Sequence, residues 1–230
     1  MPETYIIGDI HGCSQTLKAL LEFIAPNKQD TIVFLGDYID RGPDSAGVID
    51  SILKLISGGY KVIPLRGNHE ENILKAYHEY DAPTFTHFVK RISKSRNLLD
   101  RAGNLHPKYL QFFTSLPCYY AAGDILCVHA GLNPSHENPL KDTLNLLEQR
   151  QPPVKNQLEK MGFKYLAHGH VPANISEIEQ AVKTHSHDLP LDNGCIYTQP
   201  HKIYDYTQLG HLCCLAVDKW ELVRVGNVDL

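Results

Sequence analysis

A chain of 230 residues with 43% hydrophobic and 21% charged residues has an ordinary globular composition and can bury a sizeable core, most simply as one domain over 1–230. Its formal net charge of -4 argues against stable nucleic-acid binding, which needs an excess of Lys and Arg. No run approaches the ~18 apolar residues of a membrane span, and MPETYIIGDI has neither a basic nor a long apolar leader, so a cytoplasmic protein away from membranes is expected.

TYIIGD reads as a buried strand. SQTLKALLEFIA follows as a helix, with Ser14 placed to cap it and Leu17, Leu20, Leu21 and Ile24 at helical spacing. TIVFLGD is a second strand and AGVIDSILKLIS a second amphipathic helix, closed by Gly58-Gly59. KVIPLRGN and EENILKAYHEY supply a third strand and helix. Such alternation predicts parallel β-α-β units. Residues 80–108, polar and rich in Lys and Arg, are expected to form an irregular surface excursion near the site. The second half reads differently: CYYAAGDILCVHAG predicts two strands about a Gly-Asp turn. KYLAHGHV, QAVKTHS, LPLDNGCIY, HKIYDYTQ, HLCCLAVD and WELVRV predict short strands at hairpin spacing. The expected fold is α/β, with two β-sheets packed face to face and helices outside. The six cysteines form no C-x-x-C pair and lie mostly in apolar runs, so they read as free buried thiols.

The chemistry sits at the strand ends. GDIHG, GDYIDRG, RGNHE, VHAG and AHGH each close an apolar run, and ligands of open α/β sheets collect at the carboxyl ends of strands. Asp9 and His11, two apart, face the same way in extended chain. With Asp37, Asn68, His129 and His170 they make six oxygen and nitrogen ligands. That set suits two divalent cations sharing a carboxylate, an arrangement used for phosphoryl hydrolysis. Singly, each cluster has a plainer reading: a helix entry for GDIHG, an Asp-Arg pair for GDYIDRG, a capped helix with Glu70 and Glu71 against the macrodipole for GNHE, and structural histidines for the rest.

Taken together, G-D-x-H-G, G-D-x-x-D-R-G, R-G-N-H-E, H-A-G and G-H-x-P resemble the calcineurin-like metallophosphoesterases, in particular the phosphoprotein phosphatase branch with its bacterial members. LPLDNGC is similar to a segment near the family's C-terminal end. The resemblance implies a four-layer metallophosphoesterase fold of two mixed β-sheets packed as a sandwich and flanked by α-helices. It implies two divalent metal ions, with manganese favoured and iron or zinc as alternatives. Asp9, His11 and His170 would hold one ion, Asn68 and His129 the other, and Asp37 would bridge them. A bridging water made acidic by both cations would attack phosphorus in line. His69 would be the general acid, oriented by Asp40, while Arg41 and Arg66 clamp phosphate oxygens. Arg150 in LLEQRQPP is the counterpart of a further family arginine, although the tryptophan that usually precedes it is missing. In AHGH the G-H-x-P match selects His170 over His168, leaving His168 as a strand residue or a partner of the ligands. HSHD at 185–188 reads as a solvated turn.

The leading function is a metal-dependent phosphomonoesterase of the Ser/Thr protein phosphatase type, acting on a phosphorylated protein or a small phosphoester or nucleotide. The alternative is a symmetrical bis(5'-nucleosyl)-tetraphosphatase, since GDIHGC also resembles that branch, whose members tend to lack the Asp of DRG and to read GNHD. A cysteine phosphatase is excluded because no cysteine has an arginine six positions on, and Walker A and G-x-S-x-G motifs are absent. Specificity is expected from 80–108 and from loops near 133–160, where the family's Asn-Gly-Gly segment is missing.

Overall fold

Alternation along the strands divides their side chains between two apolar layers. In β1 (Thr4–Ile7) and β2 (Thr31–Phe34), Ile6 and Val33 face one layer while Tyr5, Ile7, Ile32 and Phe34 face the other. The structure, a computed structural model, describes residues 2–151, 155–200, 202–203 and 205–230. β3 (Lys61–Pro64) lies parallel to β2, and β2 parallel to β1. Beyond β1 come β9 (His211–Ala216), antiparallel, and β10 (Glu221–Gly226). A two-residue strand, β8 (Asp192–Asn193), pairs with β9 at Leu212 and His211, beyond the register of β1, which stops at Cys214. The second sheet runs β4 (Tyr119–Ala122), β5 (Ile125–Val128), β6 (Tyr165–His168) and β7 (Asp188–Pro190).

The sheets meet through Ile6, Val33, Leu35, Ile125, Cys127, Ala167, Leu189 and Leu215. On the outer face of the first sheet pack α1 (Ser14–Ile24), α2 (Ser45–Ser57), α3 (Asn68–Glu79) and α5 (Pro107–Ser115). On the outer face of the second, Leu126, Val128 and Leu166 receive Leu146 and Leu158 from α6 (Thr143–Glu148) and α7 (Lys155–Lys160). This is the expected sandwich of two mixed sheets between helices.

Four local expectations need correction. QAVKTHS is not a strand: Ile175, Ile178 and Val182 bury one stripe of α8 (Ile175–Lys183). A helical crossover therefore joins β6 to β7, so β5, β6 and β7 are parallel rather than a hairpin meander. Residues 80–108 are a mostly exposed excursion near the site, as expected, but they are not irregular. They form α4 (Ala82–His87), a π turn at Phe88–Ile92 and a 3-10 turn at Arg96–Leu98, anchored by buried Phe85, Val89, Leu98 and Leu105. HKIYDYTQ contains a 3-10 turn at Tyr206–Gln208, while His201 and Tyr204 lie outside the described residues. All six cysteines are free, and no described helix is long and apolar enough to cross a membrane.

Ser14 is not the cap of α1; its hydroxyl donates to Asp44 at 2.8 Å. The cap comes from the far end of the chain. Asp229 accepts from Gln15 N at 3.0 Å, and from Thr16 N at 2.8 Å and its hydroxyl at 2.6 Å. Asp229→Ala removes these acceptors and is expected to destabilise the protein by about 1 kcal/mol, read from chemical denaturation midpoints. An unchanged midpoint would show that the C-terminal segment does not cap the helix.

Candidate metal centre

The carboxyl ends of the parallel strands from both sheets deliver the polar residues to one place. β1 leads to Asp9 and His11, β2 to Asp37 and Asp40, and β3 to Asn68 and His69 at the start of α3. β5 and β6 lead to His129 and His170. Four of these residues, and Arg41 next to Asp40, adopt left-handed backbone: His11 (φ 47°), Asp37 (φ 51°), Asp40 (φ 70°), Arg41 (φ 66°) and His170 (φ 70°). Non-glycine residues held this way cost about 1–3 kcal/mol each and persist where surrounding bonds impose them. Glu70 imposes one such turn. Fully buried, it accepts from Asp37 N at 3.0 Å, Tyr38 N at 2.9 Å and Gly67 N at 3.0 Å. Burial and the nearby Asp37 push its pKa up to about 8, against those donors. Its role is therefore to hold the Asp37 loop, rather than to answer the helix dipole alone.

Asp37 belongs to two groups of metal-ligand atoms, His11–Asp37–His69 and Asp37–His129–His170, each within 4.8 Å. His11 Nε2 is 3.5 Å from Asp37 Oδ2, and His129 Nε2 is 3.4 Å from Oδ1. Backbone carbonyls fix both rings: His11 Nδ1 donates to Ile39 O at 2.9 Å and His129 Nδ1 to Leu35 O at 3.0 Å. A carbonyl can only accept, so each Nε2 carries the lone pair: that of His129 lies beside Asp37, and that of His11 lies between Asp37 and the Arg41 guanidinium. Burial lowers the pKa of His11 to about 3 and moves that of His129 down from its ordinary value, so both rings are held neutral. Burial, with the neighbouring His129, likewise lowers His170 to about 3. Burial works against the Asp37 charge, but the His129, His69 and His11 imidazoles outweigh it and hold its carboxyl below the usual range.

These groups fit divalent cations. Asp9, Asp37 and Asp192 are each 2% exposed, and among the described residues none pairs with a Lys or Arg; the ion-pair partners of Asp37 are histidines. Burial, then Asp192 and Asp37, push the Asp9 pKa well up, and burial raises Asp192 to about 6. Buried carboxylates without a countercharge are strongly disfavoured. Asp9 Oδ1 and His170 Nε2 are buried with no hydrogen-bond partner. Asn68 Oδ1 faces the His129 Nε2 lone pair at 3.0 Å and both Asp37 oxygens at 3.2 and 3.3 Å. Three acceptors around an oxygen repel one another unless a cation lies among them or the amide turns its NH2 inward.

Not every expected residue sits as anticipated. His170 groups with His129 rather than with His11, and Asp9 lies outside both groups, reaching His170 through the backbone N–H at 3.0 Å. The left-handed turn at His170 carries its ring to the His129 side, where the two rings pack edge to face at 5.2 Å. Arg41 is exposed and its Nη1 donates to His11 Nε2 at 3.1 Å, at the rim of the cluster. Arg150 is exposed, and its charge helps depress His170. Arg66 does not join them. It pairs with Glu71 at 3.1 Å and with Phe113 O at 3.4 Å, because Glu71 sits one turn into α3 directly in its path. His168 bonds Asp188 Oδ1 at 2.8 Å across β6 and β7, and His185 stacks on Trp220 at 4.7 Å.

His69 differs from the other imidazoles. Its Nδ1 lies 2.6 Å from Asp40 Oδ2, while Nε2 is 3.8 Å from Asp37 Oδ2. Burial opposes its charge, but Asp37 and the Asp40 hydrogen bond outweigh it and raise its pKa to about 9. A ring kept protonated donates instead of ligating. Asp192 was marked only by its place in LPLDNGC, and the two serines that hold Asp40, Ser93 and Ser95, carried no site signal beyond lying in a basic run.

Residues 3–211 match the family model described as calcineurin-like phosphoesterase. The chain belongs to that family. Members of that family use a dinuclear divalent metal centre, and the groups gathered around Asp37 are candidate ligands for one. Among curated relatives, a symmetrical bis(5'-nucleosyl)-tetraphosphatase of Wigglesworthia glossinidia brevipalpis is 47% identical over 74 residues, covering 32% of this chain and 26% of the relative. The asymmetrical enzyme PrpE of Oceanobacillus iheyensis is 26% identical over 235 residues, 88% of each chain. Among solved structures, a putative diadenosine tetraphosphatase superposes with a TM-score of 0.67 at 20% identity, covering 100% of this chain and 97% of that one. A protein serine/threonine phosphatase from Saccharomyces cerevisiae gives 0.63 at 18% identity over 97% and 79%. At such identities the superpositions establish the fold.

Glycines set how closely the loops approach the carboxylates. A Cβ on Gly169 would lie 2.0 Å from Asp9 Oδ1, and one on Gly67 2.2 Å from Asp37 Oδ1. The backbone at Gly169 cannot easily retreat, since its N–H donates to His129 O at 2.7 Å. Gly169→Ala is therefore expected to weaken manganese binding at least about tenfold, although it removes no ligand. Titration calorimetry reads this, and unchanged affinity would place Asp9 outside the metal centre.

Proposed function

We propose that residues 1–230 act as one metallophosphoesterase domain that hydrolyses phosphomonoesters with alcohol leaving groups, of the Ser/Thr phosphoprotein type. The observation carrying this is the His69–Asp40 contact of 2.6 Å with Nε2 turned toward Asp37. An alkoxide is a poor leaving group and needs a proton as the P–O bond breaks. The proton passes from His69 Nε2 to the departing oxygen, while Nδ1–H stays on Asp40 and stabilises the ring's charge before transfer. A phosphate leaving group, as in cleavage of a polyphosphate chain, needs far less help. Asp37 would be shared between two cations, with His11, Asn68, His129, His170 and Asp9 completing their ligands. When bound, the cations neutralise phosphoryl charge and acidify a water nucleophile. Arg41 and Arg150, at the rim, supply charge for phosphate oxygens.

The test is phosphate release from a phosphoserine peptide in the presence of manganese. His69→Asn should cut turnover about 10²–10⁴-fold on the peptide, much less on p-nitrophenyl phosphate, and leave metal content intact. Absence of metal-dependent release from either substrate rejects the reading, and loss of metal on His69→Asn would make His69 a ligand instead.

A second reading, a dinucleoside polyphosphate hydrolase, draws on the names of the curated relatives and on one surface feature. Lys90, Arg91, Arg96 and Arg101 line a groove of about 530 Å3. Its one carboxylate, Asp100, is occupied by the N–H groups of Ala102 and Asn104. Such a groove suits a chain of phosphates. With diadenosine tetraphosphate, two ADP would indicate a symmetrical cut and ATP with AMP an asymmetrical one. Under this reading, reversing Arg96 and Arg101 to Glu raises KM for that substrate at least tenfold more, by order of magnitude, than for p-nitrophenyl phosphate. No cleavage, or equal effects on both substrates, would contradict it.

A further inference from the structure

The carboxylate of Asp40 has two oxygens, and only one of them faces His69. Oδ2 takes the imidazole, while Oδ1 accepts the hydroxyls of Ser93 and of Ser95, the latter at 2.6 Å. Asp40 N donates to Ser95 Oγ and Ser45 Oγ, both at 3.0 Å, and those two hydroxyls are 2.8 Å apart. Ser93 and Ser95 are 4% and 1% exposed, although they sit in the strongly basic run VKRISKSR. The backbone is shaped to bring both inward. A π turn over Phe88–Ile92 ends at Ser93, whose N–H donates to Phe88 O at 3.0 Å. Lys94 is left-handed at φ 61°, and a 3-10 turn begins at Arg96. The reversal at Lys94 points its own side chain to solvent and leaves both flanking serines on the same carboxylate oxygen.

We propose that Ser93 and Ser95 are positioning residues for the general acid, acting through Asp40. Two O–H donors on Oδ1 stop the carboxylate from rotating and fix Oδ2 on the His69 Nδ1–H. With Oδ1 so occupied, Oδ2 is left to hold the Nδ1–H, and the ring keeps Nε2 turned toward the leaving oxygen. The excursion at 80–108 thereby becomes part of the acid's support, with Phe85, Val89 and Leu98 anchoring it to the core. The inference rests on the reading of His69 as the acid.

The experiment uses the full chain with Ser93→Ala, Ser95→Ala, the double variant, and Ser93→Thr and Ser95→Thr, which keep a hydroxyl. In the manganese-loaded enzyme the double variant should lose about 10- to 100-fold in kcat on a phosphoserine peptide. KM and bound manganese should stay the same. On 2,4-dinitrophenyl phosphate, whose leaving group needs no proton, the loss should be under about threefold. The threonine variants should recover most of the peptide activity. Proton NMR of the metal-free protein adds a readout independent of turnover. The downfield Nδ1 proton of the short His69–Asp40 bond, assigned by its loss in His69→Asn, should move upfield or broaden in the alanine variants. Equal losses on both substrates, or an unmoved downfield proton, would overturn the proposal. Should the double variant fail to fold, the two single alanine variants carry the same comparison at smaller amplitude. If wild-type protein hydrolyses none of the substrates, the phosphatase reading fails, and the proton resonance alone decides the serines' role.

Discussion

The constraint on which the site depends is the burial of three carboxylates with too little positive charge around them: only His69 stands against Asp37, and Arg41 acts on Asp9 and Asp192 from the rim. Asp9, Asp37 and Asp192 lie almost wholly out of water, and Asp37 is faced by the neutral rings of His11 and His129 and by the charged ring of His69. In a low-dielectric interior that arrangement opposes folding unless a cation is expected there. The left-handed residues, the carbonyl-fixed histidines and the Glu70 clamp all hold ligand atoms in place before any ion arrives. The energy that keeps this centre assembled comes from the packed sheets below it.

That scaffold explains the convergence. Two sheets pack face to face with their parallel strands ending on one side, so short loops from both reach the same point. Each loop needs only one or two side chains and a glycine, because the strand has already delivered the backbone. The arrangement divides labour cleanly. The Asp37 edge gathers lone pairs, the Asp40 edge supports a protonated ring, and the rim carries Arg41 and Arg150.

Much of this was legible in the sequence because strands buried on both faces read as apolar runs, and charge at the end of such a run stands out. Asp9, His11, Asp37, Asn68, His129 and His170 all announce themselves that way. The six strand or helix assignments of the first half hold for the same reason. What failed had a physical cause in each case. QAVKTHS, cut out of its context, hides the i, i+3, i+7 stripe that begins upstream at Ile175, and without that helix the second sheet could not be recognised as parallel. Arg66, expected as a clamp, is paired with Glu71 five positions on, and Glu71 lies just beyond the R-G-N-H-E motif. Ser14 looked like a cap, yet the acceptor is Asp229, 214 and 213 positions from the N–H groups it binds. Ser93 and Ser95 were hidden by their basic neighbours, whose charges suggest solvent while a left-handed lysine turns the serines inward.

The central claim is that Asp37 joins two cations into one centre, and electron paramagnetic resonance of the manganese(II)-loaded protein tests it most directly. Two ions sharing the Asp37 carboxylate give an exchange-coupled spectrum, and Asp37→Asn replaces it with the signal of isolated ions or of free metal. A wild-type spectrum of uncoupled manganese at full loading, or coupling that survives Asp37→Asn, would contradict the account.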